Sequence, residues 1–367
     1  MKILIFNWQD IKSPLGGGAE VHLHEIFRHI AADGHKVKLV AYRYDGSQQF
    51  ENIDGIDVER YGSRNFFNFW VPYLYWKKYR KEDFDIVIDD INKIPFYTPL
   101  YVRKPLLAIS HHFFGKSIFN QTGFLSGLYV VFAEKLIDFI YKKTNFVVVS
   151  ESTLSEFLER GFDRKRFKIV ENAISPEDFQ MKVGKKLEDP TVAYFGRLKK
   201  YKSVQHLLLA FANVVKRVPN AKLYILGRGD YQEELENLAK ELKIFEKTTF
   251  FGYVTEEDKK KILGEVHCVA NTSIKEGWGI TNIEANACGT CVISANVPGL
   301  KDSVKDGLSG LLYEYGNIEE LSDKIYKVFT DMELQKTLSE GAVEWAEKFS
   351  WKNSAKKMLK ICEEMIK

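Results

Sequence analysis

Short apolar runs alternate with longer segments whose apolar residues recur at helical spacing, and the alternation is played out twice along the chain. In the first half, KILIF, KVKLVAY, IDVERY, FDIVIDD, PLLAIS and FVVVS read as strands, several of them apolar enough to be buried on both faces. Between the first two, Val21, Leu23, Ile26, Phe27 and Ile30 give a helix its packed stripe, and residues 152–160 predict another. A second series starts at TVAYFGR and runs through AKLYILGRG, TTFFGYV, HCVANTS and CVISA, with helical segments between them. Such alternation predicts an α/β protein with a helix-covered parallel sheet in each half. The polar, proline-bearing stretch ISPEDFQMKVGKKLEDP separates the halves. The expected organisation is a domain over 1–175, a linker over 176–190, a second domain over 191–348 and a terminal helix over 349–367.

The sharpest local pattern is KEGWGITNIEANACGTCVISANVPG, residues 275–299. A polar run closes the strand HCVA, and Gly277 and Gly279 allow a tight turn and close approach to a ligand. A helix then starts at Ile280, with Ile283, Ala287 and Cys288 as its packed stripe, and Gly289 stops it before CVISA. The free N–H groups of Gly277, Trp278, Gly279 and Ile280, at the positive end of that helix, suit an anion such as a diphosphate. Glu276 and Glu284 flank this anion site. Near a phosphate a carboxylate needs another task, and accepting hydrogen bonds from sugar hydroxyls is the natural one. Alternatively Glu276 caps the helix and Glu284 lies on its solvated face, and the spacing alone leaves both readings open.

Cations and further polar groups stand at other strand ends. TVAYF ends in Gly196-Arg197-Leu198, followed by Lys199, Lys200 and Lys202; Arg197 offers a planar fork for phosphate oxygens and Lys202 a mobile point charge, unless the run is a solvated loop. KILIF leads to Gly16-Gly17-Gly18 at a helix start, a phosphate-approach device that is neither a dinucleotide fingerprint nor a P-loop. PLLAIS delivers His111 and His112, and FDIVIDD delivers Asp89 and Asp90, to the ends where open α/β sheets bind ligands. His22 and His24 face different ways on their helix and read as surface positions, not metal ligands. Asp83 and Asp85 precede their strand, the wrong end for a metal site. Cys288-Gly-Thr-Cys291 spells C-x-x-C but straddles a helix end and a strand start, against a redox pair. The aromatic block from Phe66 to Tyr79, laced with Lys77, Lys78, Arg80 and Lys81, reads either as an amphipathic helix with its rings inward or as a membrane-surface contact.

The E-x7-E pair inside EGWGITNIEANACGT, with both glycines and the following ACG-T-VI-S-VPG pattern, resembles the signature of the retaining, nucleotide-sugar-dependent GT-B glycosyltransferases of glycosyltransferase family 4. The resemblance runs nearly end to end. It implies two facing Rossmann-like domains with a cleft between them and a terminal helix that crosses back to the first. It implies that Glu276 and His111 contact the transferred sugar, that Glu284 holds the ribose, and that Arg197 and Lys202 clamp the diphosphate. Gly17 and Gly18 would then lie by the donor phosphates, with Gly277, Trp278, Gly279 and Ile280 around the anion and Val254 near the base. Departures from the family pattern are Ser203 and Cys291, where glycine and proline are usual, His112, often aspartate, and NAI in place of N-G-V. The implied reaction is retaining transfer of a hexose-type sugar from a nucleoside-diphosphate sugar to an acceptor hydroxyl, on a lipid-linked or other cell-envelope glycan, with no metal and no cofactor. A catalytically silent nucleotide-sugar binder and a GT-B epimerase are the alternatives.

Composition narrows this further. At 367 residues the chain can hold two full cores, and 45% hydrophobic with 28% charged residues is ordinary for a soluble protein. A formal charge of +3 argues against a nucleic-acid binder. MKILIF runs directly into polar residues, no apolar run reaches membrane-spanning length, and the four cysteines suit a reducing compartment. The expectation is a cytoplasmic protein, with peripheral membrane contact as the role open to the aromatic block.

Overall fold

The N-terminal apolar run becomes β1 (Lys2–Phe6), whose Ile3, Leu4, Ile5 and Phe6 are all fully buried, because it lies in the middle of a sheet. In the computed structural model, which describes residues 1–92, 94–113, 115, 118 and 123–367, this sheet is followed through α1 (Gly18–Ala32), β2 (Lys36–Tyr42), the hairpin of β3 (Phe50–Ile53) and β4 (Ile56–Tyr61), α2 (Phe67–Lys77), β5 (Ile86–Ile91), β6 (Leu106–Ser110), α3 (Phe124–Ile140), β7 (Asn145–Val148), α4 (Glu151–Glu159) and β8 (Phe167–Ile169). The strand order is β3-β4-β2-β1-β5-β6-β7-β8, parallel throughout except for the β3–β4 hairpin.

The second sheet is six-stranded and wholly parallel, in the order β11-β10-β9-β12-β13-β14. Its elements are β9 (Thr191–Phe195), α5 (Val204–Arg217), β10 (Lys222–Leu226), α6 (Gln232–Glu241), β11 (Thr248–Gly252), α7 (Glu256–Glu265), β12 (Cys268–Asn271), α8 (Ile280–Ala287), β13 (Cys291–Ala295), β14 (Gly310–Tyr313), α9 (Ile318–Thr330) and α10 (Met332–Ala346). The chain divides into two units: Ala173–Ser350 carries this sheet, while Met1–Asn172 joins with the last helix, α11 (Trp351–Ile366), which packs on α1. The stretch 176–190 belongs to the second unit, where the Lys186 ammonium donates to the Gly264 and Gly289 carbonyls and to Thr290.

Helix α1 corrects one expectation. His22 and His24 are both buried, not surface positions. The His22 ring sits edge-on to Trp351 of α11 and bonds the Val170 carbonyl at 3.1 Å, while His24 bonds Asp54 at 2.8 Å. Helix α1 is covered on more sides than its own pattern reveals. The aromatic block is a short helix split between two environments: Phe67, Val71, Leu74 and Tyr75 face the core, whereas Phe66, Phe69, Trp70, Tyr73 and Trp76 are exposed. Among the described residues no helix is long and apolar enough to cross a membrane.

Candidate active site

In the second sheet, β9 pairs with β10 on one side and β12 on the other, so the strand order reverses beside β9. Such switch points are where open α/β sheets leave a crevice at the strand C-termini. The loops after β9 and β12 meet there: Thr272 Oγ1 donates to the Lys202 carbonyl at 2.9 Å and the Ile274 N–H to that of Tyr201 at 3.1 Å. Their contact brings the Lys202 ammonium onto the Glu276 carboxylate as an ion pair. Burial disfavours the Lys202 charge, but Glu276 outweighs it and the ammonium pKa is raised. Arg197, at the exit of β9, is exposed, and among the described residues its guanidinium has no ion-pair partner. Ser203 adopts φ 52°, ψ 35°, the left-handed region. That explains why glycine suits this position and shows that serine holds the same turn, its hydroxyl 2.9 Å from that of Tyr315.

The turn into α8 is fixed by backbone packing. Gly299, at φ +83°, passes so close that a Cβ there would lie 2.0 Å from the Glu276 carbonyl, and the Glu276 N–H donates to the Pro298 carbonyl at 3.3 Å. Beneath the helix start, Asn282 Nδ2 donates to Ser294 Oγ at 3.2 Å and Ser303 Oγ at 2.9 Å, and Asn271 Nδ2 donates to Asn282 Oδ1 and Thr281 Oγ1. Gly279 is the N-cap and no side chain caps the helix, so Glu276 is not a cap. Trp278 is 9% exposed, edge-on to Phe349, and its indole N–H has no partner among the described residues. Gly277 and Ile280 flank it half-buried. Glu284 is not a solvated face residue either: its side chain is 15% exposed and accepts from Lys259 Nζ at 2.9 Å. Val254, two residues past β11, is half-buried against the core beneath β9 and β12.

The first unit repeats the logic at its own reversal, between β1 and β5. Gly17 caps α1 and donates its N–H to Glu20 Oε2 at 2.7 Å, while Asn92 Nδ2, just past β5, donates to Glu20 Oε1 at 2.9 Å. Glu20 thus ties the glycine loop of Gly17 and Gly18 to the next strand. Burial raises its carboxyl pKa above the ordinary range. His111 follows β6, is buried, and has Nε2 3.0 Å from Asp90 Oδ1. Its carbonyl accepts from Thr153 Oγ1 at 2.9 Å. Burial opposes protonation of His111, but the Asp90 carboxylate prevails and its pKa is raised. The His22 ring, perpendicular to it at 5.2 Å between centroids, is pushed down to about 3 by burial and by His111. Asp89 turns away from this pair: Thr98 Oγ1 and Tyr141 OH each donate to it at 2.5 Å, and burial raises it to about 6.

Two groups in these clusters escape a reading of the sequence alone. Glu20 carries a weak signal, standing three residues after the helix cap. Lys259 hides in the run EEDKKK, where only its helical spacing to Leu263 marks it as inward-facing. Cys288 and Cys291 are free, buried thiols, and burial pushes them up to about 12 and about 11, far from thiolate chemistry at neutral pH. Among the described residues no cluster of His, Cys, Asp or Glu has the makings of a metal site.

Comparison with known proteins matches these two units in turn. The family profile described as Glycosyltransferase Family 4 covers residues 16–178, and that described as Glycosyl transferases group 1 covers 176–345. An uncharacterised glycosyltransferase of Methanocaldococcus jannaschii is 26% identical over 396 aligned residues, covering 100% of both chains. A D-inositol 3-phosphate glycosyltransferase of Saccharomonospora viridis is 32% identical over 215 residues, 56% of this chain and 49% of that relative. In fold, the chain matches Anabaena HepE, solved in complex with UDP-glucose, with a TM-score of 0.76 at 19% identity, over 99% of this chain and 100% of that one.

Proposed function

Because the chain belongs to the family-4-type glycosyltransferases of GT-B fold, we propose that it transfers a hexose-type sugar with retention from a nucleoside-diphosphate sugar to an acceptor hydroxyl, on a lipid-linked or other cell-envelope glycan. The observation that carries this reading is the convergence of Arg197, the Lys202–Glu276 pair and the start of α8 at one switch point. The relative solved with UDP-glucose supports a nucleotide-sugar donor.

In the proposed reaction the bond from the anomeric carbon to the diphosphate oxygen breaks as the sugar becomes oxocarbenium-like. Charge then grows on the leaving diphosphate. Arg197, Lys202 and the N–H groups of Gly277, Trp278 and Gly279 receive that charge, which is the larger part of such catalysis, while the Ile280 N–H is already donated to the Trp278 carbonyl at 3.1 Å. This set of cations supplies the stabilisation without calling on a metal. Lys202 has three N–H donors, so it can serve a phosphate oxygen while keeping Glu276 in place. Glu276 and His111 are assigned to the hydroxyls of the transferred sugar, Glu284 to the ribose, Val254 to the base, and the Gly17-Gly18 loop to the donor phosphates. The acceptor oxygen attacks from the face the diphosphate leaves, and its proton passes to the departing phosphate oxygen, so configuration is retained without a covalent sugar–enzyme bond.

The exposed rings of α2 support peripheral contact with a membrane from the cytoplasm. Phe66, Phe69, Trp70 and Tyr73 line an open concavity of about 300 Å³. Lys77 Nζ lies 5.2 Å from the Tyr73 ring and the Arg80 guanidinium 4.6 Å from that of Trp76. Rings at headgroup depth beside cations are what an anionic lipid surface recruits.

Two substitutions test the assignment of the site. Glu276→Ala is expected to lower turnover by about a hundredfold or more, the scale of a lost transition-state contact, with the nucleotide still bound. Arg197→Ala is expected to weaken nucleotide affinity by about tenfold or more, as for one charge-assisted hydrogen bond. Steady-state kinetics and calorimetric titration with the nucleoside diphosphate read both. Unchanged turnover in the first, or unchanged affinity in the second, removes that residue from its role.

A further inference from the structure

Holding a ribose asks three things of Glu284: a charged carboxylate, a fixed rotamer and an oxygen left open. Burial works against the first, raising the Glu284 carboxyl above the ordinary range in spite of its cationic neighbour. That neighbour is Lys259, which occupies a core-facing position of α7 and is only 3% exposed. Lysine is among the residues least often buried, and one held this deeply needs partners.

Three groups converge on its ammonium. Nζ donates to Glu284 Oε1 at 2.9 Å, pairs with Glu256 Oε2 at 2.7 Å, and lies 4.9 Å from the centroid of the Phe195 ring at the end of β9. Burial disfavours its charge, but Glu284 and Glu256 outweigh it and the pKa is raised, so Lys259 stays charged. Glu256 is one turn earlier on the same helix with its side chain 75% exposed, so it anchors Lys259 from the solvent side while Glu284 holds it from within. On Glu284 the ammonium engages Oε1, and the side chain keeps 15% of its surface exposed.

We infer that Lys259 is a positioning residue for donor recognition: it fixes Glu284 through Oε1 and leaves Oε2 to accept from the ribose hydroxyls, so that the enzyme's selection of ribose over deoxyribose donors depends on both residues. The inference rests on the assignment of Glu284 to the ribose. A site built to accept from hydroxyls rejects an analogue that lacks them, because its own buried polar group is then left unpaired.

The test is the ratio of dissociation constants for UDP, or GDP should that be the better ligand, and its 2′,3′-dideoxy counterpart, measured by calorimetry on the full chain. In the unaltered enzyme the ratio is expected to be on the order of 10- to 100-fold, the scale of one charge-assisted hydrogen bond. Glu284→Gln and Lys259→Met are each expected to bring it close to one, mainly by weakening the ribonucleotide and leaving the dideoxy ligand nearly unchanged. A purely structural lysine would lower the melting temperature and leave the ratio alone. Should Lys259→Met not fold, Lys259→Gln, which keeps a donor but no charge, carries the same comparison. If the unaltered enzyme and Glu284→Gln behave as expected and the lysine variant keeps the full ratio, the inference about Lys259 is overturned by itself. If the unaltered enzyme does not distinguish the two ligands, the ribose assignment of Glu284 is what fails, and the role of Lys259 with it.

Discussion

His22 and His111 stand perpendicular at 5.2 Å between ring centroids and are driven in opposite directions, one to about 3 and the other upward. For His22 the folded pKa is below the unfolded one, so the unfolded chain binds the extra proton between about 6.5 and 3. Stability is full above that window and falls as the pH drops into it. For His111 the sign is reversed: the Asp90 pair stabilises fully below the unfolded pKa and is lost as the pH rises through the raised folded value. His22→Gln keeps a donor for the Val170 carbonyl and removes the titrating group. Unfolding free energies from urea titrations between pH 6.5 and 5 are expected to fall by up to about 1.4 kcal/mol per pH unit less in this variant than in the unaltered protein. An identical slope would show that His22 is not held neutral. At this scale the sequence reveals residue types but not their surroundings. Glu276 and Glu284 stand out through the family motif they share, whereas Lys202 and Lys259, their ion-pair partners, come from other loops and helices, and pairing at that separation in the chain is a product of the fold.

Among the elements, β strands and glycine turns are the most legible, because period and backbone geometry are local properties. The helix from Ile280 and the strand CVISA lie where the pattern puts them, and Gly289 is indeed a left-handed terminator, at φ +74°. Less legible is what lies under an element. The helix at Phe67–Lys77 divides its rings between core and solvent because adjacent positions on a short helix diverge, and composition cannot assign them. Likewise nothing in the sequence marks the polar residues Asn271, Asn282, Ser294 and Ser303 as partners, yet they form a buried network under the start of α8. Gly279 is fitted to that network: a Cβ there would lie 2.3 Å from Ser303 Oγ and 2.8 Å from Asn282 Nδ2. Gly279→Ala is therefore expected to destabilise the protein by about 1–3 kcal/mol, as overpacking does, and to weaken nucleotide binding by displacing the helix start. Thermal unfolding and nucleotide titration check both parts, and a neutral alanine would mean that the turn has slack the geometry denies.

Across the whole chain, two units built on the same plan each gather polar groups where their strand order reverses: Glu20, Asn92, Asp90 and His111 in one, Arg197, Lys202, Glu276 and Trp278 in the other. The plan was legible because buried parallel strands leave continuous apolar runs, and the stretch from Glu276 to Glu284 stood out because its family motif is contiguous. The acceptor has left no comparable mark, since loops that bind it need share no spacing. The measurement that bears most directly on the proposed reaction is nucleotide release from a panel of UDP-, GDP- and ADP-sugars, with and without membrane lipid extract. Release from one donor, rising sharply when lipid is added, is the predicted result. Binding of a donor with no release under any of these conditions, lipid included, would contradict glycosyl transfer to a lipid-linked acceptor.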